Sequence, residues 1–140
     1  MKNTISKFAP KNGFPHLPIV DGINLSAINA GISKTNKLDL LLVRASKNST
    51  ICALFTKSKT CSAAVDWSRQ NLEKVQNQQK PLGLVVNSGN ANVFTGPHGE
   101  TTVRKSITST AHHLKTSDEN IFVASTGVIG ELLHHNQITS

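Results

Sequence analysis

Apolar and polar positions along the chain predict short strands in its first half. From Phe14 to Ile32 apolar residues alternate with small polar ones, which is typical of a strand interrupted at the turn-forming pair Asp21-Gly22. The segments "LDLLLVRAS" (38–46) and "STICALFTKS" (49–58) are short and rich in branched apolar residues. The polar residues between them predict a β-hairpin. Three or four strands are therefore expected before the first helix.

In the second half, the pattern alternates between helices and strands. Apolar residues at helical spacing predict one helix from Asp66 to about Gln79 and a second from Glu100 to Lys115. The apolar runs "LGLVV" (82–86) and "NIFVA" (120–124) are too short for buried helices and predict central strands. The order of elements predicts an α/β fold in which helices cover one face of a mixed sheet.

Composition and charge exclude few classes of protein. The 140 residues are expected to form a single domain (1–140) with its own core. The net charge of +7 suggests a nucleic-acid partner, but the 15 basic residues are scattered and only Arg104 and Lys105 are adjacent. An anionic small molecule or an acidic partner chain fits this charge equally well.

Cysteines and the N-terminus indicate the cellular setting. Cys52 and Cys61 match neither a zinc spacing nor a disulfide framework. The first residues lack the continuous apolar region of a secretory signal, and no stretch approaches the roughly 18 apolar residues of a membrane span. A soluble, cytoplasmic protein is therefore expected.

The first candidate site is the loop predicted from Asn87 to Gly99, because ligand groups gather where strands of α/β folds end. Its three asparagines (Asn87, Asn90 and Asn92) either hydrogen-bond a polar substrate or brace the loop through bonds to its backbone. Bracing is the preferred interpretation.

The second candidate site is the loop predicted from Ser125 to Gly130. If Gly127 opens a helix, its N–H is unpaired, and the Thr126 hydroxyl beside it adds a second donor. Two such donors can stabilise an oxyanion, which lowers acyl-transfer barriers by about 3 kcal/mol each. Alternatively, Ser125 or Thr126 only caps the helix. The pattern alone does not separate these interpretations.

Other motifs carry less chemistry. The adjacent pairs His112-His113 and His134-His135 diverge by about 100° on a helix, which favours surface histidines over a metal site. The stretch "GNANVFTG" has part of the glycine spacing of a phosphate loop, but no Lys-Ser or Lys-Thr follows it. The chain has no G-x-S-x-G elbow.

Three segments together resemble landmarks of one enzyme family. They are "GISKTNKLDLLLV" with "ALFTKSKTCSAAV", then "VNSGNANVFTG", then "STGVIGELL". Over roughly Lys7 to Leu133, the chain resembles the N-terminal, α-chain part of the bifunctional ornithine acetyltransferase/N-acetylglutamate synthase family of arginine biosynthesis. The segments occur in the order and at the spacing of that family.

The resemblance implies a layered αββα sandwich with a mixed sheet, of the amino-terminal-nucleophile type. It also implies a precursor that cuts itself at an Ala-Thr bond, so that the freed threonine becomes the nucleophile. This threonine takes acetyl from N2-acetylornithine and passes it to glutamate through an acetyl-threonine intermediate, without a metal or an organic cofactor. Whether acetyl-CoA is a second donor stays open.

The resemblance further assigns roles and partners. Thr126 and Gly127 correspond to the oxyanion hole, whereas the residues that bind substrate are not identified. The implied protein partner is a β chain that carries the nucleophile, in a heterotetramer of two α and two β chains.

The chain departs from the family pattern in a missing motif and in several single residues. A glycine-rich approach to Ala-Thr-Met-Leu is expected beyond "STGVIG", and no Ala-Thr step occurs in the 140 residues. Ala64, Val93-Phe94 and Leu133-His134 also differ from the usual family residues. The chain is therefore expected to be incomplete at its C-terminus, to be inactive alone and to self-associate through uncovered apolar faces. A truncated, inactive remnant or a non-catalytic binding module of the same fold is the alternative.

Overall fold

The computed structural model describes residues 7–13, 16–34, 36–75 and 79–139. These residues form one four-stranded sheet with the strands in chain order: β1 (Ile23–Ile28), β2 (Leu40–Ala45), β3 (Leu82–Asn90) and β4 (Ile121–Val128). The pairs β1–β2 and β2–β3 are antiparallel, whereas β3 and β4 run parallel. The α/β fold with a mixed sheet is therefore confirmed.

The helices are α1 (Ala63–Val75), α2 (Gly96–Leu114) and the one-turn α3 (Asn136–Thr139), with a 3₁₀ turn at Asp118–Asn120. Both long helices were expected from the apolar spacing, although residues 76–78 of the first predicted helix lie outside the described residues. Helix α2 forms the crossover that parallel strands require. A proline in its first turn and a left-handed residue, Lys115 (φ 53°), at its end mark the limits of α2. Within the described ranges, none of the helices combines the length and the apolar character of a membrane span.

One face of the sheet carries the main core. Alternation along the strands points Val85, Ile121 and Val123 to this face. The buried cluster also includes the apolar stripe of α2 and one residue of α1, and its members are Ala64, Val85, Val103, Ile107, Ala111, Ile121 and Val123. Burial of these apolar side chains holds α2 against the parallel pair.

Helix α1 lies along the outer edge of β4. Its Ser68 hydroxyl donates to the carbonyl of Val123 (3.0 Å) and accepts from the N–H of the same residue (3.1 Å). The indole N–H of Trp67 donates to the carbonyl of Ile121 (2.9 Å). Side chains of α1 therefore satisfy backbone groups that another strand would otherwise pair.

The opposite face of the sheet is partly open. Val75, Leu82 and Phe122 form a small buried cluster at one end of this face. Further along, alternation places Leu25, Leu84, Val86, Ala124 and Thr126 on the same face. Leu25, Ala124 and Thr126 are exposed and the other two are half-buried. We call this surface the open face.

The hairpin predicted from residues 38–46 and 49–58 is wrong. β2 instead pairs with β1 on one side and with β3 on the other, and residues 49–58 form neither helix nor strand. The branched apolar run of β2 reflects its place between two strands, whereas Leu54 in the second segment is fully exposed. Among the described residues, two strands, rather than three or four, precede α1.

The strand predicted between Phe14 and Ile32 is shorter than expected. β1 begins directly after the Asp21-Gly22 turn, and residues 16–20 form no strand. Phe14 and Pro15 lie outside the described residues. The turn-forming pair therefore marks the start of the strand and does not interrupt it.

Candidate functional site

The candidate site lies where the parallel strands β3 and β4 end. Ser88 is in register with Thr126, and Gly89 is in register with Gly127. The register then shifts at Asn90, where the pairing of the two strands becomes irregular. Parallel pairing thus brings together the ends of the two segments that the sequence singled out.

Both strands run further than the sequence predicted. β3 continues through Asn90, so the first predicted loop starts later than expected. β4 continues through Gly127 to Val128, and therefore Gly127 opens no helix. The helix-cap interpretation of Ser125 and Thr126 is wrong for the same reason. The end of β3 supplies a pairing partner that the local sequence of β4 does not reveal.

Thr126 and Gly127 are both exposed at this strand end. Among the described residues, the Thr126 hydroxyl has no hydrogen-bond partner. Gly127 has a φ of 136°, and a Cβ atom there would lie 2.5 Å from the backbone nitrogen of Asn90. Glycine is required at this position because the backbone of β3 approaches β4 so closely.

The three asparagines brace the turn that follows β3. Asn87 donates to the carbonyl of Asn90 (2.8 Å), and the side chain of Asn90 accepts from the N–H of Asn92 (2.7 Å). Asn92 donates to the carbonyl of Gly99 (3.2 Å) and accepts from the Thr95 hydroxyl (2.8 Å). Each asparagine is at most 4% exposed. These contacts support bracing over substrate binding.

The segment after β4 folds back on the start of α2. Asn90 donates to the carbonyl of Glu131 (2.9 Å), and Leu133 is buried. The carbonyl of Leu133 accepts from the Thr102 hydroxyl (2.9 Å) and contacts the ring of His98 (3.2 Å). These bonds hold the segment that follows the Thr126-Gly127 pair.

Asp39 is a buried residue next to the end of β3 that the sequence analysis did not single out. Asp39 is 3% exposed, and its carboxylate accepts from the N–H groups of Ala30 (2.7 Å) and Ser33 (2.8 Å). Burial raises the pKa of Asp39, but the backbone N–H donors, that of Ser33 foremost, outweigh it and lower the pKa below the ordinary 3.8. The available signal was an aspartate placed between a polar turn and an apolar strand.

Histidines and cysteines show no arrangement for a metal. His112, His113 and His134 are exposed, as expected for surface histidines, and His135 is half-buried. Within the described part of the chain, no group of three or more His, Cys, Asp or Glu side chains could hold a metal ion. The two cysteines are free thiols.

Comparison with known proteins places the chain in a family. A sequence model described as the ArgJ family matches residues 24–140. The chain belongs to the ArgJ family. The resemblance drawn from the sequence motifs is therefore confirmed.

Curated members of the family are longer than this chain. The arginine biosynthesis bifunctional protein ArgJ of Bradyrhizobium diazoefficiens is 41% identical over 133 residues, which are 95% of this chain and 31% of that protein. The protein of the same name from Nitrobacter winogradskyi is 42% identical over 135 residues, with 95% and 32% covered. The chain spans about a third of the length of the curated relatives it matches.

Two solved structures of family members share the fold. The ArgJ structure from Bacillus halodurans has a TM-score of 0.77 at 26% identity, covering 85% of this chain and 60% of that one. Ornithine acetyltransferase from Mycobacterium tuberculosis, solved in complex with ornithine, has a TM-score of 0.71 at 28% identity, covering 85% and 63%. The arrangement of strands and helices is thus that of the family.

Proposed function

We propose that residues 1–140 form one domain, the N-terminal part of the α chain of a cytoplasmic glutamate N-acetyltransferase of arginine biosynthesis. Family membership supports the reaction class, because the curated relatives are named as bifunctional arginine biosynthesis proteins. The reaction transfers acetyl from N2-acetylornithine to glutamate. The solved relative that holds ornithine supports this choice of substrate.

The observation that carries the proposal is the exposed Thr126-Gly127 pair at the end of β4. The Thr126 hydroxyl lacks a partner among the described residues and lies on the open face. The backbone of Val123 faces α1, away from β3, and strand alternation counted from Val123 predicts the same outward direction for the Gly127 N–H. A hydroxyl donor and a backbone donor on adjacent residues suit an oxyanion hole.

The proposed chemistry is covalent acyl transfer without a metal or an organic cofactor. A threonine hydroxyl attacks the acetyl carbonyl, whose oxygen becomes negative and is held by Thr126 and Gly127. Collapse of this intermediate breaks the bond to the ornithine nitrogen, which leaves with a proton, and an acetyl-threonine remains. The glutamate amine then attacks that ester through a second oxyanion and frees the threonine.

The nucleophile comes from a partner segment, the β chain, which is freed by self-cleavage at an Ala-Thr bond. The open face supports such a partner, since Leu25, Ala124 and Thr126 are exposed there. A second sheet packed on this face would complete the αββα sandwich and would place the nucleophile near Thr126. Two such α and β pairs form the proposed heterotetramer.

A chimera tests the proposal. In it, residues 24–140 of this chain replace the corresponding segment of the Bradyrhizobium relative, and ornithine release from N2-acetylornithine is measured with glutamate as acceptor. Thr126→Val should lower kcat by about 100-fold or more, because it removes a donor used mainly in the transition state. Thr126→Ser keeps the hydroxyl and should stay within about tenfold of the parent chimera.

Thr101→Val is the matched control, since Thr101 is an exposed threonine of α2 that donates to the carbonyl of Pro97. It should leave kcat unchanged. Full activity of the Thr126→Val chimera would refute the oxyanion role. A parent chimera that folds but transfers no acetyl would refute the proposed function as a whole.

A further inference from the structure

We propose that Asp39 is a positioning residue for the Thr126-Gly127 pair, and that it acts through the loop at residues 30–33 and the end of β3. The inference rests on the proposed function, because it concerns the geometry of the same two donors. Asp39 lies in the connection between β1 and β2. Among the described residues, none of its hydrogen bonds goes to Thr126 or Gly127.

The side chain of Asp39 fixes the loop at residues 30–33. One carboxylate oxygen accepts from the N–H of Ala30 and the other from the N–H of Ser33. A carboxylate can accept on both oxygens, whereas the amide of asparagine offers an acceptor on only one side. Because the group is buried, replacing one acceptor by a donor leaves a backbone N–H unsatisfied.

The backbone of Asp39 fixes the end of β3. Its carbonyl accepts from the N–H of Ser88 (2.8 Å), and its N–H donates to the carbonyl of Ile28 (3.0 Å). Ser88 is the residue in register with Thr126. A single residue therefore ties the loop, the end of β1 and the end of β3 together.

Close backbone contacts carry this position on to Gly127. A Cβ atom on Gly89 would lie 3.0 Å from the Cα of Ser33, so the loop stands directly against the end of β3. Gly89 in turn lies so close to Gly127 that a Cβ atom there would lie 2.7 Å from the Gly89 carbonyl oxygen. No flexible side chain separates these backbones, so a shift of the loop moves the end of β4 with it.

Small shifts at this point have large consequences for transfer. An oxyanion donor works only when it lies within hydrogen-bond distance of the position that the charged oxygen occupies. A displacement of about 1 Å can cost on the order of 100-fold in rate. Loss of the hydrogen bonds that the Asp39 carboxylate accepts from Ala30 and Ser33 should therefore lower kcat while changing KM little.

The test uses Asp39→Asn in the chimera described above. We expect kcat to fall by about tenfold or more while KM changes by no more than about twofold, because transition-state stabilisation is lost and ground-state binding is kept. Exchange of backbone amide hydrogens, measured by mass spectrometry, should become faster in the peptides that cover residues 87–91 and 124–129. Asp39→Glu keeps both acceptors on a longer side chain and should retain more activity than Asp39→Asn.

The matched control is Val75→Ala. Val75 is buried in the small cluster beside Leu82 and Phe122, at the other end of β3 and β4. This variant should lower Tm but leave kcat and the exchange of both peptides as in the parent chimera, when measured well below its Tm.

Two outcomes would overturn the inference. One is a folded Asp39→Asn chimera whose kcat and peptide exchange match the parent. The other is failure of both Asp39 variants to fold while Val75→Ala folds, which would give Asp39 a role in folding alone. Thr126→Val separates the two proposals, because loss of activity there with normal kcat in Asp39→Asn leaves the proposed function standing.

Discussion

Replacing Gly127 by alanine tests how closely β3 approaches β4 at the candidate site. Gly127 has a φ of 136°, and an added Cβ would lie 2.5 Å from the Asn90 nitrogen and 2.7 Å from the Gly89 oxygen. Gly130 provides a matched control close by. Its φ is also positive, at 81°, but nothing lies within 4 Å of the added Cβ.

Two physical effects separate the variants. Forcing a non-glycine residue into a sparsely populated backbone conformation costs about 1–3 kcal/mol, and this applies to both positions. Overlap with the backbone of β3 adds about 1–3 kcal/mol at Gly127 only, because a backbone cannot move aside as a flexible side chain can. Gly127→Ala should therefore destabilise the fold by about 2–6 kcal/mol and Gly130→Ala by about 1–3 kcal/mol.

Urea unfolding followed by tryptophan fluorescence measures this difference. Trp67 is the single tryptophan of the chain and donates to the carbonyl of Ile121, so its emission reports the contact between α1 and β4. Linear extrapolation gives the free energy of unfolding for the parent and both variants. Equal losses for Gly127→Ala and Gly130→Ala would refute the close approach of the two strands.

Two further predictions concern stability. Ser68→Ala should lower the free energy of unfolding by about 2 kcal/mol or more, because both backbone groups of Val123 lose their partner. The control Ser106→Ala removes only a bond to a helix carbonyl and should cost under about 1 kcal/mol. Equal losses for the two variants in urea unfolding would argue against the contact between α1 and β4. Because folding lowers the pKa of Asp39 below 3.8, its contribution to stability is present above that pH and is lost as the pH falls through the folded-state pKa. Asp39→Asn should remove this acid-side slope, and parallel pH profiles for parent and variant would contradict the assignment.

The sequence predicted best where the signal was local. The stripe of Val103, Ile107 and Ala111 predicted α2, and the short apolar runs predicted the cores of β3 and β4. The motif at residues 125–133 pointed to the family that the comparison confirmed. Each of these signals depends on neighbouring residues along the chain, and a single sequence contains that information.

Predictions that depended on partners distant in sequence failed. The segment at residues 49–58 has the composition of a strand but has no strand partner among the described residues, and β2 pairs with β1 and β3 instead. Gly127 looked like the start of a helix because its neighbours along the chain suggest a cap. Its actual conformation is set by the end of β3, which lies far away in the sequence.

The sequence by itself determined the fold class and the two long helices, and it singled out Thr126 and Gly127 as candidate oxyanion donors, because periodicity and motifs are properties of the chain. Only the tertiary structure decided that the pair ends a strand, that glycine is required by the approach of Gly89, and that the Asp39 carbonyl accepts from Ser88 at the end of β3. Those facts arise from pairing register and from backbone hydrogen bonds between segments far apart in sequence, which no local pattern encodes.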